Sequence, residues 1–575
     1  MQSDQTNTTT RAMQVVFACG ILSLLAYVAI FSLSHRFSAD VVQLDRPLFA
    51  TLGLFVVSFL MYLTALRFAI QLPAIKTFRI VIGFAIAFRL ALLFSNPIQE
   101  VDIYRYLWDG LVSNQAISPF EYAPLVVADC QLEPHVEEDL RTLVQLRDRS
   151  PGIRDTLARV HFAHLPTVYP PVSQSVFAAA SWLTPDTASV KARVVVMKAV
   201  LLLFDLGVIF FVARTMQHVG VHPGWSLAYA WCPLVMKEFA NSGHLDAIAV
   251  FFSAAAIYFA VLGLFPNPDA KPENNKAMRW LFVGAICLAF GVGAKLYPIA
   301  LAPILAFSAI AKVGWPKSLA IGGVFFIATA ICVAPMLVPS EAERETVQEE
   351  AVDNVFAAEP NDRQAGLKMF LSHWMMNDFF FLNTIENLTP DSLRANVART
   401  PWFVILPNSL REDVVATAAS RFGLPPERVP FSLARSATAC CFAALALWFA
   451  WQATKTIDSE RWLELVFLTM AWFWLLLPTL NPWYWIWALP WIAFAKNRVW
   501  LMLSGQLFIY YLRFYFEAIN QTKPIIGSYA GVAFFDFVLV WFEYVPWFIA
   551  LFVFYYLHRA KCPSPMKKSP LAGAD

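Results

Sequence analysis

Little in this chain suggests a covalently stapled or metal-held scaffold. Its 575 residues include only eight cysteines, and Cys19, Cys232, Cys287, Cys332, Cys440 and Cys441 lie inside apolar runs. Cys130 stands alone in a polar loop and Cys562 in the tail, so neither a disulfide framework nor a zinc spacing is present. Net charge is also small, at +2, which leaves no global field for nucleic acid; the distribution of charge matters more than its sum. No solenoid-length repeat and no strong inverted repeat is visible. The first apolar run follows a polar N-terminus and lacks a small-residue cleavage site, so it reads as a retained membrane helix.

Apolar residues are what the chain has in quantity. It is 58% hydrophobic and 15% aromatic, with a mean hydropathy of +0.55, the composition of a polytopic membrane protein. Runs long enough to cross, or nearly so, fall at 13–33, 47–68, 77–94, 190–213, 224–240, 246–264, 280–295, 298–312, 317–338, 434–452, 460–478, 483–495, 498–516 and 532–557, which gives about fourteen spans. A further run at 172–183, bounded by prolines, is too short for a hydrocarbon core of about 30 Å. With that run not crossing, Lys76, Arg79, Arg214, Lys271, Lys276, Arg279, Lys312, Lys317, Lys455, Arg461, Lys496, Arg498 and the basic tail share one side. The positive-inside rule makes that side cytoplasmic. Lys191 and Arg193 fall on the opposite, outer side.

The expected fold is therefore an all-α polytopic bundle with two large outer-face segments, 95–189 and 339–433, carrying amphipathic helices. Four regions follow: a helix pair at 1–76, a transmembrane module at 77–338 including 95–189, the segment 339–433, and C-terminal helices with a basic cytoplasmic tail at 434–575. Outer segments of this length are functional more often than incidental.

The most informative stretch is 96–110. It sets Glu100 and Asp102 just beyond an apolar span, at the membrane–water boundary. Helical spacing puts Asp102, Arg105 and Asp109 on one face and Ile103, Leu107 and Leu111 on the other. Tyr104, Tyr106 and Trp108 are types that favour the headgroup layer. The stretch reads as a helix lying on the membrane with a carboxylate at its start; an amphipathic connector with Asp102 as N-cap fits the same residues.

The same topology brings Lys237, Glu238, His244 and Asp246, then Lys295, then Asn481-Pro482-Trp483-Tyr484 to the outer boundary. Ionisable groups at membrane depth tend to mark sites. Each also has a structural reading: a Lys237–Glu238 charge pair, a helix cap at His244 and Asp246, a turn at Asn481-Pro482. The set His244-x-Asp246 with Glu100 is loosely spaced for a metal, so neither metal nor cofactor is expected. A transporter or lipid-carrier flippase would collect its charges at the midplane on broken helices. A membrane polysaccharide polymerase or ligase would share the location but not these positions.

The chain resembles integral-membrane glycosyltransferases of the GT-C superfamily, above all the polyprenyl-phosphate-mannose-dependent mannosyltransferases of glycosyltransferase family 87 and its relatives. The pieces that carry the resemblance are Glu100-Val101-Asp102-Ile103-Tyr104-Arg105-Tyr106, Ser118-Pro119-Phe120-Glu121-Tyr122, Tyr169-Pro170-Pro171, Trp231-Cys232-Pro233-Leu234 with Glu238 and Gly243-His244-Leu245-Asp246, Lys295-Leu296-Tyr297-Pro298, His373-Trp374 with Asn377, and Pro482-Trp483-Tyr484. Two departures stand out: an additional helix pair precedes the catalytic loop, and Cys232 occupies a position where many relatives carry Asn.

The resemblance implies an inverting transfer of a hexose, mannose as the family's choice, from a polyprenyl-phosphate sugar donor to a lipid or glycan acceptor. It places the active site on the outer face of a membrane, in a bacterium the periplasmic face of the inner membrane. It makes Asp102, with Glu100 second, the catalytic base. The candidate substrate contacts are Tyr104, Arg105, Tyr169, Arg193, Lys237, Glu238, His244, Asp246, Lys295, His373, Asn377, Trp483 and Tyr484. Among these, Arg193, Lys237, Lys295 and His373 would face the donor phosphate, and Phe379–Phe381 would wall the prenyl chain. Membrane lipids are the expected surroundings and nucleic acid is no partner.

Overall fold

The computed structural model describes residues 2–131, 136–266, 274–337, 365–395 and 399–561. Among them the fold is helical, and the only extended pairings are the isolated bridges Met376–Thr479 and Ile526–Tyr529. The expected all-α membrane architecture is what the chain adopts. Eight helices are long and apolar enough to cross a bilayer on their own. They include α1 (Gln2–Ser34) and α2 (Leu48–Ala69).

Next come α3 (Ala74–Leu93), α4 (Ile103–Ser113), α5 (Pro124–Asp129), α6 (Glu138–Asp148), α7 (Pro151–Ala158), α8 (Pro171–Trp182) and the long α9 (Val190–Val219). Ser189 caps α9, accepting from the Ala192 amide at 3.3 Å, and Gly220 ends it at a left-handed φ of 78°. That conformation favours glycine because it has no Cβ. Further on lie α10 (Asp246–Leu264), α11 (Asn274–Ala294), α12 (Ala302–Val313), α13 (Trp315–Leu337), α14 (Val429–Lys455), α15 (Ser459–Leu475) and α16 (Val540–Lys561).

Several of the shorter apolar runs are helical but interrupted. The 224–240 run breaks at Pro233 and continues as a π-helical turn, Met236–Ser242. The 298–312 run opens with a 3-10 turn, Tyr297–Leu301. The 483–495 run is two short pieces, Pro482–Trp485 and Leu489–Phe494, and 498–516 carries a 3-10 turn, Leu507–Tyr511. Broken helices at membrane depth survive only where protein or a cavity satisfies their freed backbone groups. Here they are buried in one continuous core.

The structure changes the reading of α4. It is not a helix resting on the membrane with one wet face, because Ile103 and Arg105 through Val112 are all buried. Tyr106 stacks on Phe177 of α8 at 4.7 Å instead of reaching the headgroups. Trp108, Leu111 and Val112 pack against Leu143, Val144, Ile153 and Leu157 of α6 and α7. Gly110 permits the close approach, since a Cβ there would run into the Phe177 carbonyl. Thus α8, the twelve-residue helix, lies against α4 and holds the 95–189 segment to the bundle.

Lys198 and Asp205 also acquire partners that spacing could not name. Arg89 donates to Asp205 at 2.5 Å, and Tyr229 donates to the same carboxylate at 2.7 Å. Lys198 donates to the carbonyls of Leu92 and Ser95 at 2.8 and 2.9 Å. These are buried charges with fixed partners, and they tie α3 to α9.

The side assignment is open to a direct check. Ile405 is 83% exposed and Ile457, between α14 and α15, is 89% exposed. In a cysteine-free background, Ile405→Cys should label with a membrane-impermeant maleimide from outside. Ile457→Cys should label only after permeabilisation. Equal labelling of both from one side would overturn the orientation.

Candidate active site

The site grows from the loop that joins α3 to α4. Ser95 to Ile98 are fastened from the core: the Ile98 amide donates to Asn241 Oδ1 at 3.0 Å, and Asn241 Nδ2 donates to Ser95 Oγ and the Asn96 carbonyl, each at 2.8 Å. Gln99 then takes a left-handed backbone, φ 66°, and the next residues are Glu100 and Asp102. Asp102 occupies the N-cap position of α4, but its carboxylate makes no capping bond. Its hydrogen bond is a long one, 3.4 Å, from the Tyr169 hydroxyl. The capping explanation of this residue therefore fails: the side chain is half-buried and left for something else.

Glu100 is also half-buried and accepts from the Tyr510 hydroxyl at 3.3 Å. Burial pushes its carboxyl up to about 7, against the opposing pull of Lys237 and His244; Glu238 and Asp102 add to the rise.

The π-helical turn supplies the second group. Lys237 donates to Ser242 Oγ at 2.7 Å, lies 3.4 Å from Glu238 Oε2, and sits over the Tyr511 ring at 4.5 Å. Gly243 at φ 72° reverses the chain, and a Cβ there would strike Ile103 and Lys198. This turn brings His244 to 3.1 Å from Glu238 Oε2 and stacks its ring on Trp483 at 4.3 Å. Burial opposes protonation of His244, but the carboxylates of Glu238, Asp102 and Glu100 outweigh it and raise its pKa.

The third group is the Asp246–Lys295 pair. Lys295 Nζ is 2.8 Å from both carboxylate oxygens, and Trp487 Nε1 donates to Asp246 at 2.6 Å. Asp246 does not cap α10; Leu245 holds that position. Lys295 also lies over the Tyr484 ring at 4.3 Å, and it keeps 17% of its side chain exposed. The floor is aromatic: Trp483, Tyr484 and Trp487, with Tyr297 stacked on Trp487 at 3.9 Å.

Seven residues singled out from the sequence as chemical groups, Glu100, Asp102, Lys237, Glu238, His244, Asp246 and Lys295, thus join Tyr169, Trp483 and Tyr484 around one site. Tyr104 and Arg105 flank it. Tyr104 lies under Arg159, 5.7 Å away, and Arg105 Nη2 donates to the carbonyls of His161 and Phe162 at 3.3 and 2.8 Å. Arg193 serves differently from the phosphate ligand expected. Its guanidinium is buried and bonded to the carbonyls of Pro185, Asp186 and Ala188, closing the turn before α9. Asn377 faces the bundle: its amide donates to Glu543 Oε1 at 3.1 Å and to the Leu480 carbonyl at 3.3 Å. The His373 side chain lies outside the described residues.

Tyr510, Trp487 and Asn241 were not foreseen. Tyr510 and Trp487 sit in apolar runs where an aromatic looks like core, and only the fold shows their polar atoms meeting carboxylates. Among the described residues no group of three or more His, Cys, Asp and Glu side chains is arranged to hold a metal.

No curated protein and no solved structure matches the chain. The family model described as alpha-(1->6)-mannopyranosyltransferase, N-terminal domain, matches residues 12–311. That is just over half of the 575 residues, and it takes in most of α1 and all of α2 to α11, with Glu100, Asp102, the π-helical turn and the Asp246–Lys295 pair. By that match the chain belongs to the alpha-(1->6)-mannopyranosyltransferase family, and it is a multi-pass membrane mannosyltransferase.

Proposed function

We propose that the protein moves a mannosyl residue, with inversion, from a polyprenyl-phosphate donor to a hydroxyl of a lipid or glycan acceptor on the outer face of the membrane. In a bacterial cell this is the periplasmic face of the inner membrane. The observation that carries the reading is that Asp102, held only by a long hydrogen bond from Tyr169, lies within electrostatic reach of His244 and Lys295, with Lys237 beside Glu238 and His244. The family match gives the sugar.

Transfer needs a base at the acceptor oxygen and a stabilised leaving group. Asp102 takes the acceptor proton as the oxygen attacks the anomeric carbon. The bond from that carbon to the phosphate oxygen breaks, and the lipid phosphate leaves with the electron pair. Such a phosphate departs without a general acid, so the remaining task is electrostatic. Lys295, Lys237 and His244 meet it, the phosphate competing with Asp246 and Glu238 for them. Attack from the face opposite the leaving group inverts the centre, so an α-linked product calls for a β-linked donor.

The prenyl chain is proposed to lie between spans beside Phe379–Phe381, although the rings themselves are packed. Phe379 packs on Trp541, Tyr544 and Phe548, and Phe381 on Phe431, as ordinary core. An apolar cleft of about 230 Å³ lies between α10, α11, α12 and α13, lined by Ala256, Ala260, Gly284, Ala306 and Gly322, away from Asp246 at the start of α10 and Lys295 just past the end of α11.

Three outcomes are expected. Asp102→Asn should lower kcat by about 10²- to 10⁴-fold, the usual contribution of a positioned base, with donor binding retained; wild-type turnover would move the role to Glu100. The wild-type rate should climb as pH rises through about 7, where Glu100 loses its proton, and Glu100→Gln should flatten that limb; a limb kept in the variant assigns it elsewhere. Activity on a polyprenyl-phosphate mannose should survive chelation. Loss to a chelator with recovery on adding a divalent ion would recast Glu100, His244 and Asp246 as ligands.

A further inference from the structure

The helix pair that precedes the catalytic loop touches that loop directly. Between α1 and α2 the chain runs through residues 35–47 with 3-10 turns at His35–Phe37 and Gln43–Asp45, and from there Gln43 and Arg46 reach Gln99. Gln43 Nε2 donates to Gln99 Oε1 at 2.9 Å, and Arg46 Nη1 donates to the same oxygen at 3.2 Å. The Asn96 amide donates to Ser34 Oγ at 3.1 Å. Arg46 is itself braced, donating to the carbonyls of Val41 at 3.2 Å and Ser38 at 3.4 Å. The pair is also anchored on its far side, with Phe49 packed on Tyr515 at 5.2 Å and Phe55 stacked on Phe508 at 4.8 Å.

Gln99 is where this matters. It is buried and holds a left-handed φ of 66°, a conformation that costs a residue with a Cβ about 1 kcal/mol or more. Such a backbone persists only when its surroundings over-determine it. Lys198 and Asn241 grip residues 95, 96 and 98 from the core. The two donors from the N-terminal turn grip the Gln99 side chain from the opposite side. The very next residue is Glu100, and Asp102 follows at the head of α4. The direction in which both carboxylates leave the loop is therefore set by the turn at Gln99.

We infer that Gln43, Arg46 and Gln99 form a clamp by which the N-terminal helix pair aims Glu100 and Asp102 at the substrates. They are positioning residues: none needs to touch donor or acceptor. The inference rests on the proposed roles of Glu100 and Asp102, and it gives the N-terminal helix pair, which lies within the matched family domain from residue 12 on, a catalytic purpose beyond adding two spans.

The test compares Arg46→Ala with Gln43→Ala, the double variant, Arg46→Lys, Gln99→Ala and Gln99→Gly, each as full-length protein checked for monodispersity and thermal stability. Misplacing reacting groups by about an ångström can cost on the order of a hundredfold in rate. The double variant should lose about tenfold or more in kcat with the donor KM within about threefold of wild type. Arg46→Lys should recover most of the loss. Gln99→Gly should retain more activity than Gln99→Ala, since glycine tolerates the left-handed φ that alanine resists.

A loosened loop should also hydrate Glu100, which faces Lys237, His244, Glu238, Asp102 and Tyr510, and so shift the acidic limb of the kcat–pH profile to lower pH. Merely destabilising changes would lower the thermal midpoint and yield alike, leave the limb in place, and rank glycine no better than alanine; that pattern overturns the clamp. So does wild-type kcat in the double variant. A wild-type chain that transfers no mannose from any polyprenyl phosphate would instead defeat the functional reading. In that event, equal amide-exchange protection of residues 96–102 in wild type and double variant would overturn the clamp independently.

Discussion

The structure depends on how one stretch of irregular backbone is satisfied at the edge of the bilayer. Where α3 ends, its last carbonyls and the loop 95–98 have no helical partners, and water is scarce. The ammonium of Lys198 covers the carbonyls of Leu92 and Ser95, and Asn241 takes an amide and a carbonyl of the same loop. A cation on a helix C-terminus is also favoured by the helix dipole. With these groups paired, the chain can leave the helix, turn at Gln99 and present two carboxylates. Without them the loop would carry buried unpaired groups, each costing about 1–3 kcal/mol.

The site is organised as three charged groups on an aromatic floor rather than as one compact constellation. Glu100 and Asp102 come from the loop, Lys237 and Glu238 from a π-helical turn with His244 just past its end, and Asp246 and Lys295 from facing helix ends. In each of the last two groups a cation already faces a carboxylate, so the unliganded site keeps its charges compensated. Under the proposed function, the donor phosphate exchanges one anionic partner for another and avoids stripping a lone ammonium of its counter-charge. The stacked His244–Trp483 and Tyr297–Trp487 pairs fix these side chains in orientation. They also exclude the water that would weaken the charges.

The resemblance to polyprenyl-phosphate-mannose-dependent mannosyltransferases and the helical membrane fold were both readable from residues, while the alpha-(1->6) family came from the family match. Apolar runs of bilayer length dictate helices because a backbone in hydrocarbon must pair with itself. Carboxylates and lysines at the ends of such runs are too costly to be accidental in number. Less legible was the character of α4. Its 3.6-residue pattern looks amphipathic, yet Arg105 and Asp109 face other protein rather than solvent. Asp109 accepts from Gln174 at 3.1 Å and Arg105 donates to backbone carbonyls. A buried polar stripe and a wet one have the same periodicity.

Residues alone gave the class, the places of the eight long apolar helices among about fourteen expected spans, and which charged residues had to be explained, because composition and period act locally. Partners were decided only by the tertiary structure. Arg193 and Lys295 look alike on paper, each a cation at a span's end. One closes a turn on three carbonyls and the other stands over Tyr484 beside Asp246. Gln99 and Arg46 carry no signal at all in sequence, being a polar loop residue and a basic turn residue 53 positions apart. The contact between them exists because α1 and α2 pack beside α3, and long-range packing of that kind leaves no local periodicity to read.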